Sequence, residues 1–308
     1  MKNMAITEKT KDRIFIFCML LFPIIQFVIF WLVVNVKSIA LAFESELTES
    51  FSLENFERFF RTFSTEWKND SGLKICIQNT CITAVISMFI ATPLNWFASY
   101  ILFKKYSGHM FFRIVFYIPG LIGSVISATM LTYVLDATGP IVLLGKMLGI
   151  QWDPQILQSG LIGNNVSARP TFFITSVTIS GGTVLLLTGA MQKIPKDLFD
   201  VGKIEGLGMF REFGTLIFPC CWSTMGIMWI MTFAQVWGDY SRVMLLTNGA
   251  YETNNFGYFL FARSLSATNG SESYNYPAAI GVILTIVVVP LTLILRYVAN
   301  KAVDKVEF

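Results

Sequence analysis

Six stretches of this chain hold no Asp, Glu, Lys or Arg: 14–36, 75–103, 114–134, 171–191, 219–238 and 277–295. All of its 23 basic and 20 acidic residues lie between or beyond them. Each stretch supplies the roughly 20 apolar residues that a helix needs to cross the hydrocarbon core of a bilayer. Backbone groups in lipid find no water, so a spanning segment must satisfy its own hydrogen bonds, as a helix does. The pattern predicts an all-α polytopic membrane protein, one transmembrane domain over residues 1–308 with six transmembrane helices. Lys9, Lys11 and Arg13 ahead of the first stretch resemble a signal peptide. That stretch is too long for a signal h-region and no small-residue cleavage site follows it, so it reads as a retained anchor.

Basic residues concentrate on the cytoplasmic side of a membrane protein. With the N-terminus inside, the inner segments are 1–13, 104–113, 192–218 and 296–308. They hold well over half of the Lys and Arg in barely half the length of the outer segments. Both termini are therefore expected in the cytoplasm of a plasma-membrane protein. Composition agrees, since 14% of residues are charged against about 25% in soluble domains. With 54% hydrophobic residues, the chain is not a disordered segment, a basic nucleic-acid binder or a small secreted domain. All five cysteines fall in predicted spans, which argues against a disulfide framework. Pro23, Pro93, Pro119 and Pro290 lie in the spans, as do clusters such as Gly120, Gly123 and Ser124. They suit close helix packing, or helices that line a route and move against each other.

The residues of catalysis are missing. His109, the only histidine, falls in a predicted cytoplasmic loop, so neither a histidine metal site nor an intramembrane Ser–His base is expected. The spans contain no carboxylate pair for acid–base chemistry. The segment from Gly139 to Met147 has one residue too many for a phosphate loop, and Met147 stands where the magnesium-binding hydroxyl belongs. Ion-coupled carriers place charged relays within the membrane, and this chain has none there. The energy source is expected on another subunit.

Segment 192–218 is the most informative loop. Pro195 suits a first helical turn, and Asp197 and Asp200 sit near its positive end. Leu198, Val201 and Glu205, with Gly202 among them, define one small, partly apolar face. Gly206 and Gly208 end that helix, and a second short one is expected through Phe210, Phe213 and Ile217 before Pro219 opens the fifth span. At Asp200-Val201-Gly202, Glu205, Gly206, Phe213 and Phe218-Pro219 the chain resembles the inner-membrane permease subunits of bacterial binding-protein-dependent ABC importers. Their signature is Glu-Ala-Ala, three residues and Gly, followed by Phe and Leu-Pro. Asp200 for Glu and Gly202 for Ala are departures. Further fragments resemble the carbohydrate branch: Ser52–Phe56, Asn79-Thr80, Phe112-Arg113 with Tyr117–Pro119, Leu246–Ala250 with Thr253, and Pro277–Gly281. The Leu-Thr-x-Gly element is typical of the half that resembles the larger membrane subunit of maltose importers.

The resemblance implies a type I importer permease fold with a cytoplasmic coupling helix-turn-helix, in which Asp200, Val201, Gly202, Glu205 and Gly206 engage an ATPase. It implies a second, related permease, two ATP-binding cassette subunits, an extracellular solute-binding protein and a sugar substrate, with no nucleic acid. The chain itself would be no enzyme and hold no cofactor or metal, ATP and magnesium residing on the partner. Rings and neutral amides in the spans suit sugar faces and hydroxyls. The path candidates are Asn79, Asn95, Trp96, Tyr133, Trp229, Gln235 and Trp237, with Asp239 and Tyr240 at the outer mouth. Each also suits an interfacial anchor or a helix–helix contact. A polyol or glycerol phosphate ester importer of the same class remains open, as does an ATP-independent carrier or scaffold.

Overall fold

A computed structural model describes residues 8–46, 50–68, 72–106, 108–178, 181–270 and 273–302. Both chain ends, on which the orientation of the termini bears, lie outside the described residues. Among those residues the chain is helical, and its β pairing is one isolated bridge between Glu44 and Phe51. Helix α1 runs Glu8–Phe27, passes a π turn at Val28–Val33 and continues through Val34–Ala42. Then come α2 (Glu54–Lys68), α3 (Gly72–Phe103), α4 (His109–Leu121), α5 (Ser124–Leu135), α6 (Pro140–Met147) and α7 (Pro154–Ser159). The rest are α8 (Ala168–Thr175), α9 (Gly181–Met191), α10 (Lys196–Ile204), α11 (Met209–Gly238), α12 (Ser241–Leu246), α13 (Phe256–Thr268) and α14 (Asn275–Ala302). Segment 139–147, the rejected phosphate loop, is helix α6 with Gly139 as its N-cap.

Among the described residues, five helical segments are long and apolar enough to cross a membrane: Lys11–Ala42, Gly72–Phe103, Ser124–Met147, Met209–Gly238 and Asn275–Lys301. The expected spans 114–134 and 171–191 are not continuous helices. The first breaks at Ile122 and Gly123, both in extended conformation. Pro119 lacks an N–H to donate, and the helix stops within a turn of it. The second breaks between α8 and α9, where Gly181 opens α9. A Cβ at Gly181 would stand 2.7 Å from the Phe116 carbonyl and 2.9 Å from Tyr117 Cα, so only a bare backbone packs there. Broken helices are tolerated at membrane depth where protein or a water-filled cavity surrounds the open backbone.

The second helix expected in the 192–218 loop does not end before the fifth span. It runs into it as α11, through a π turn at Phe213–Ile217 with Pro219 just beyond. In α3 the π turn Ser87–Ala91 likewise precedes Pro93. A proline removes one ladder bond and crowds the preceding turn, and a widened turn absorbs both effects without ending the helix. In α3 the Thr92 hydroxyl donates to the Ser87 carbonyl at 2.7 Å, satisfying an acceptor in the widened turn.

The contacts divide the chain into two compact units, residues 1–62 with 263–284 and residues 63–262 with 285–308. In the first, α1 exposes every described side chain from Lys11 to Ala40, the surface of a lipid-facing helix. Beyond it Phe43 stacks on Phe51, Asn55 donates to the Glu44 carbonyl at 2.8 Å, and Arg58 lies 4.5 Å over the Tyr276 ring. On helix α2, Phe59 is buried and Phe60 exposed.

Two clusters of buried side chains organise the described part of the second unit. Trp96, Tyr100, Leu187, Met191, Ile194, Ile217, Cys221 and Met225 pack α3, α9 and α11 together. Leu135, Val142, Ile156, Leu161 and Ile162 gather α5 to α7 and the following turn. Trp222 joins the final helix by donating to the Ala299 carbonyl at 2.8 Å.

Candidate functional site

Between α3, α9 and α11 the second unit holds a cleft of about 1200 Å³. Helix α3 contributes Ser87, Ala91, Thr92 and Asn95, residues about one turn apart on one face. Helix α11 contributes Thr224, Met228, Thr232 and Gln235 with the same spacing, and α9 contributes Thr183, Leu186 and Ala190. Ser176 and Thr178 from the break before α9 complete the wall. The middle of the cleft is therefore neutral, with hydroxyl and amide groups set among aliphatic ones. Charges stand only toward its ends, Lys193 at one and Asp239 with Arg242 at the other.

The Arg242 cation is already occupied. Its guanidinium donates to Asp239 Oδ2 at 3.0 Å and to the Ser176 hydroxyl at 2.6 Å, and it lies 6.0 Å from the Phe172 ring centroid. Asn95 donates to the Ala91 carbonyl at 2.7 Å and across to the Thr178 carbonyl at 2.9 Å. Asn95 thus holds the backbone after α8 at Thr178, and Arg242 holds the Ser176 side chain beside it.

Of the path candidates, Asn95, Gln235 and Asp239 line this cleft. The others stand elsewhere. Asn79 is fully buried and donates to the carbonyls of Glu252 and Asn254, both at 2.7 Å, while accepting from Arg169 Nε at 3.0 Å. It anchors a loop in which Asn248, Tyr251 and Glu252 all have positive φ. Trp96 is in the core against Phe218 and Trp222. Trp229 donates to the Met88 carbonyl at 3.1 Å and meets Phe89 edge-on, joining α11 to the π turn of α3. Trp237 packs edge-on against Phe233, Tyr240 stacks on Phe261 at 4.5 Å, and Tyr133 is 73% exposed on α5. Sequence reasoning missed Ser176, Thr178, Lys193 and Arg242. Their signal was weak, because isolated hydroxyls are common in spans and both cations lie just outside the charge-free stretches.

The 192–218 segment folds as a hairpin. Helix α10 begins after Pro195 and ends at Glu205, and Gly206 turns the chain with φ +68°. Leu207 N–H donates back to the Gly202 carbonyl at 2.9 Å, and a Schellman-like return of this kind suits glycine at the turn. Leu198 and Phe199 pack inward on the core of α3, α9 and α11. Gly202 is also buried, beside the Leu207 and Leu216 side chains. The outward face presents Asp197, Asp200, Val201, Ile204 and Glu205. Ile204 is 86% exposed. Asp200 accepts from Lys203 at 2.8 Å; that hydrogen bond, then the lysine's charge, holds its carboxyl below the usual carboxylate range. The face combines two bare aliphatic groups with ionised carboxylates, which suits a protein partner better than lipid tails. Among the described residues no group of His, Cys, Asp and Glu is arranged to hold a metal.

No family model matches the chain. The alpha-glucoside transport system permease protein AglF of Rhizobium meliloti is 24% identical over 123 residues, 39% of this chain and 36% of that protein. The sn-glycerol-3-phosphate transport system permease protein UgpA of Agrobacterium fabrum is 24% identical over 226 residues, 72% of each chain. The maltose/maltodextrin permease protein MalF of Yersinia pestis is 21% identical over 209 residues, 61% of this chain and 37% of that protein. The chain thus aligns with little more than a third of AglF and MalF. A chain in the crystal structure of a bacterial alginate ABC transporter, in complex with its alginate pentasaccharide-bound periplasmic protein, has the same fold. Its TM-score is 0.78 at 17% identity, covering 97% of this chain and 98% of that one. In sequence and in fold, the chain fits the permease subunits of sugar-importing ABC transporters.

Proposed function

We propose that this chain forms half of the translocation path of an ATP-driven carbohydrate importer. The observation that carries the reading is one compact unit holding both a neutral, hydroxyl- and amide-lined cleft and an exposed acidic–apolar hairpin. The hairpin packs on the same three helices that wall the cleft. Six spans follow if α4 with α5 and α8 with α9 each cross once as a broken helix, beside α1, α3, α11 and α14. All of residues 1–308 then serve one permease domain, with both termini in the cytoplasm. Asp200, Val201, Glu205 and Gly206 form the surface docked by an ATP-binding cassette subunit, while Gly202, expected beside them, is buried on the inner side of the hairpin, where its lack of a side chain admits Leu207. A second, related permease closes the open side of the cleft, and a soluble binding protein delivers sugar from outside. ATP and magnesium stay on the ATPase, so this chain contributes differential contacts to two states rather than chemistry.

Asn95, Gln235 and Asp239 are the path residues that the cleft supports. A polyol suits the same groups. A glycerol phosphate ester calls for cations beside it; Arg242 is paired with Asp239 and Lys193 stands at the far end, so the neutral middle of the cleft favours a neutral sugar. The test is gentle detergent purification of the tagged chain with mass spectrometry of what stays bound. The co-encoded binding protein is then titrated calorimetrically with neutral sugars and with sn-glycerol 3-phosphate. A co-purifying second permease and ATP-binding subunit, with sugar binding, support the proposal. A stable homodimer without an ATPase favours a carrier or scaffold.

A further inference from the structure

The cytoplasmic ends of α3 and α11 hold an ion pair that none of the roles above uses. Lys104 Nζ lies 2.5 Å from Glu212 Oε1, with the two side chains only 20% and 11% exposed. Lys104 is the C-cap of α3, and Glu212 stands in the first turn of α11. Each charge therefore faces the helix end whose dipole it complements. The same ammonium lies 4.8 Å from the Phe199 ring and 6.0 Å from the Tyr100 ring. Phe199 belongs to α10, and its ring also meets Phe103 of α3 at 5.6 Å, while Tyr100 meets Phe213 of α11 at 5.5 Å. Around this one cation, the hairpin, the end of α3 and the start of α11 converge.

Contacts between rings and aliphatic groups are non-directional, so a shifted packing can re-form them with other neighbours. A half-buried ion pair has no such freedom, because displacing either partner leaves an uncompensated charge in a poorly hydrated place. We infer that Lys104 and Glu212 are positioning residues that lock the 196–206 hairpin to α3 and α11, so that a load on the hairpin moves both cleft walls together. The inference rests on the reading of the hairpin as an ATPase-docking element. The pair touches neither substrate nor the docking face. Its loss uncouples the cleft from ATP without stopping hydrolysis.

The test uses the complex with its co-purified ATP-binding subunits in lipid nanodiscs. Thr232→Cys supplies a reporter in the cleft, labelled by a water-soluble maleimide and located by mass spectrometry. In this parent, ATP changes the labelling rate by about fivefold or more, the scale of an ordinary coupling between sites. Lys104→Gln and Glu212→Gln retain the ATPase and its hydrolysis, and the labelling rate no longer responds to ATP. The swapped pair, Lys104→Glu with Glu212→Lys, restores the pairing but opposes both helix dipoles, and regains part of the response, which a general packing defect would not do. If the single variants fail to accumulate, the swap decides: an ATPase-bound swap whose labelling responds to ATP supports the inference, and one that does not respond overturns it. Single variants that bind ATPase and respond like the parent also overturn it, leaving the importer reading intact. A parent that retains no ATPase overturns both, and does so before any variant is made.

Discussion

Asn79→Ala separates an architectural asparagine from a sugar ligand. The side chain is fully buried and ties α3 to the 247–256 loop through two hydrogen bonds, 2.7 Å each to the Glu252 and Asn254 carbonyls, and accepts a third at 3.0 Å from Arg169 on α8. Each is worth about 1 kcal/mol net, so truncation should weaken the loop's attachment by about 2 kcal/mol. The loop relies on this support, because Asn248, Tyr251 and Glu252 occupy left-handed backbone conformations, which cost energy in any residue with a Cβ. The neighbouring anchor, Thr80 accepting from Phe256 N–H at 2.9 Å, survives the substitution and keeps the damage local. A local loss of about 2 kcal/mol raises the open population roughly thirtyfold. Hydrogen–deuterium exchange in peptides covering 247–256 should accelerate by about that factor, while peptides of α9 and α11 stay unchanged. Asn79→Asp keeps the acceptor for Arg169 but sets a carboxylate oxygen against both loop carbonyls in place of the two donors, and should accelerate loop exchange at least as much as Ala does. Unchanged exchange in the loop, with a weakened sugar affinity instead, would refute the architectural role.

Other substitutions probe separate links. Gly181→Val places side-chain atoms against the backbone of Phe116 and Tyr117 and should destabilise the purified chain by about 1–3 kcal/mol in thermal melts, whereas Gly189→Ala, with open space around it, should not. Asp200→Asn should leave the melting temperature where it is, since the Asp200–Lys203 pair is exposed on both sides and such pairs add little, yet it should reduce the ATPase retained on purification. Gly206→Leu meets no neighbour but needs a left-handed backbone; membrane insertion should be normal and uptake per ATP hydrolysed should fall. Gln235→Ala should alter uptake affinity without changing the melting temperature, while Trp96→Ala, in the core, should do the reverse.

The helices were legible because lipid excludes charge, and a run of uncharged residues records that exclusion directly. Their interruptions were not. Hydropathy reads straight through Ile122-Gly123 and the break at 176–178, since the breaking residues are themselves small or apolar. Pro219 misled in the opposite sense: proline reads as a helix boundary, and a π turn let α11 continue past it. The hairpin was legible from Pro195, Gly206 and the pattern of acids, because its geometry is local. The cleft was legible only in part. Asn95 and Asn79 carry the same amide on the same helix, four turns apart, and what separates them is the neighbour each meets. Asn79 finds a loop more than 170 residues away in sequence; Asn95 finds the open backbone beside the cleft. Arg242 was passed over because a cation just beyond a span looks like an interfacial anchor until its pairing with Asp239 and Ser176 is seen.

The central claim is that the outward face of the hairpin meets an ATPase. Ile204, at 86% exposed, is the place to measure it. A photo-crosslinking residue substituted there, in cells that express the whole operon, should join the chain to one soluble ATP-binding protein, in a band lost on Asp200→Asn. Crosslinks to lipid alone, or to a second copy of this chain, would contradict the account.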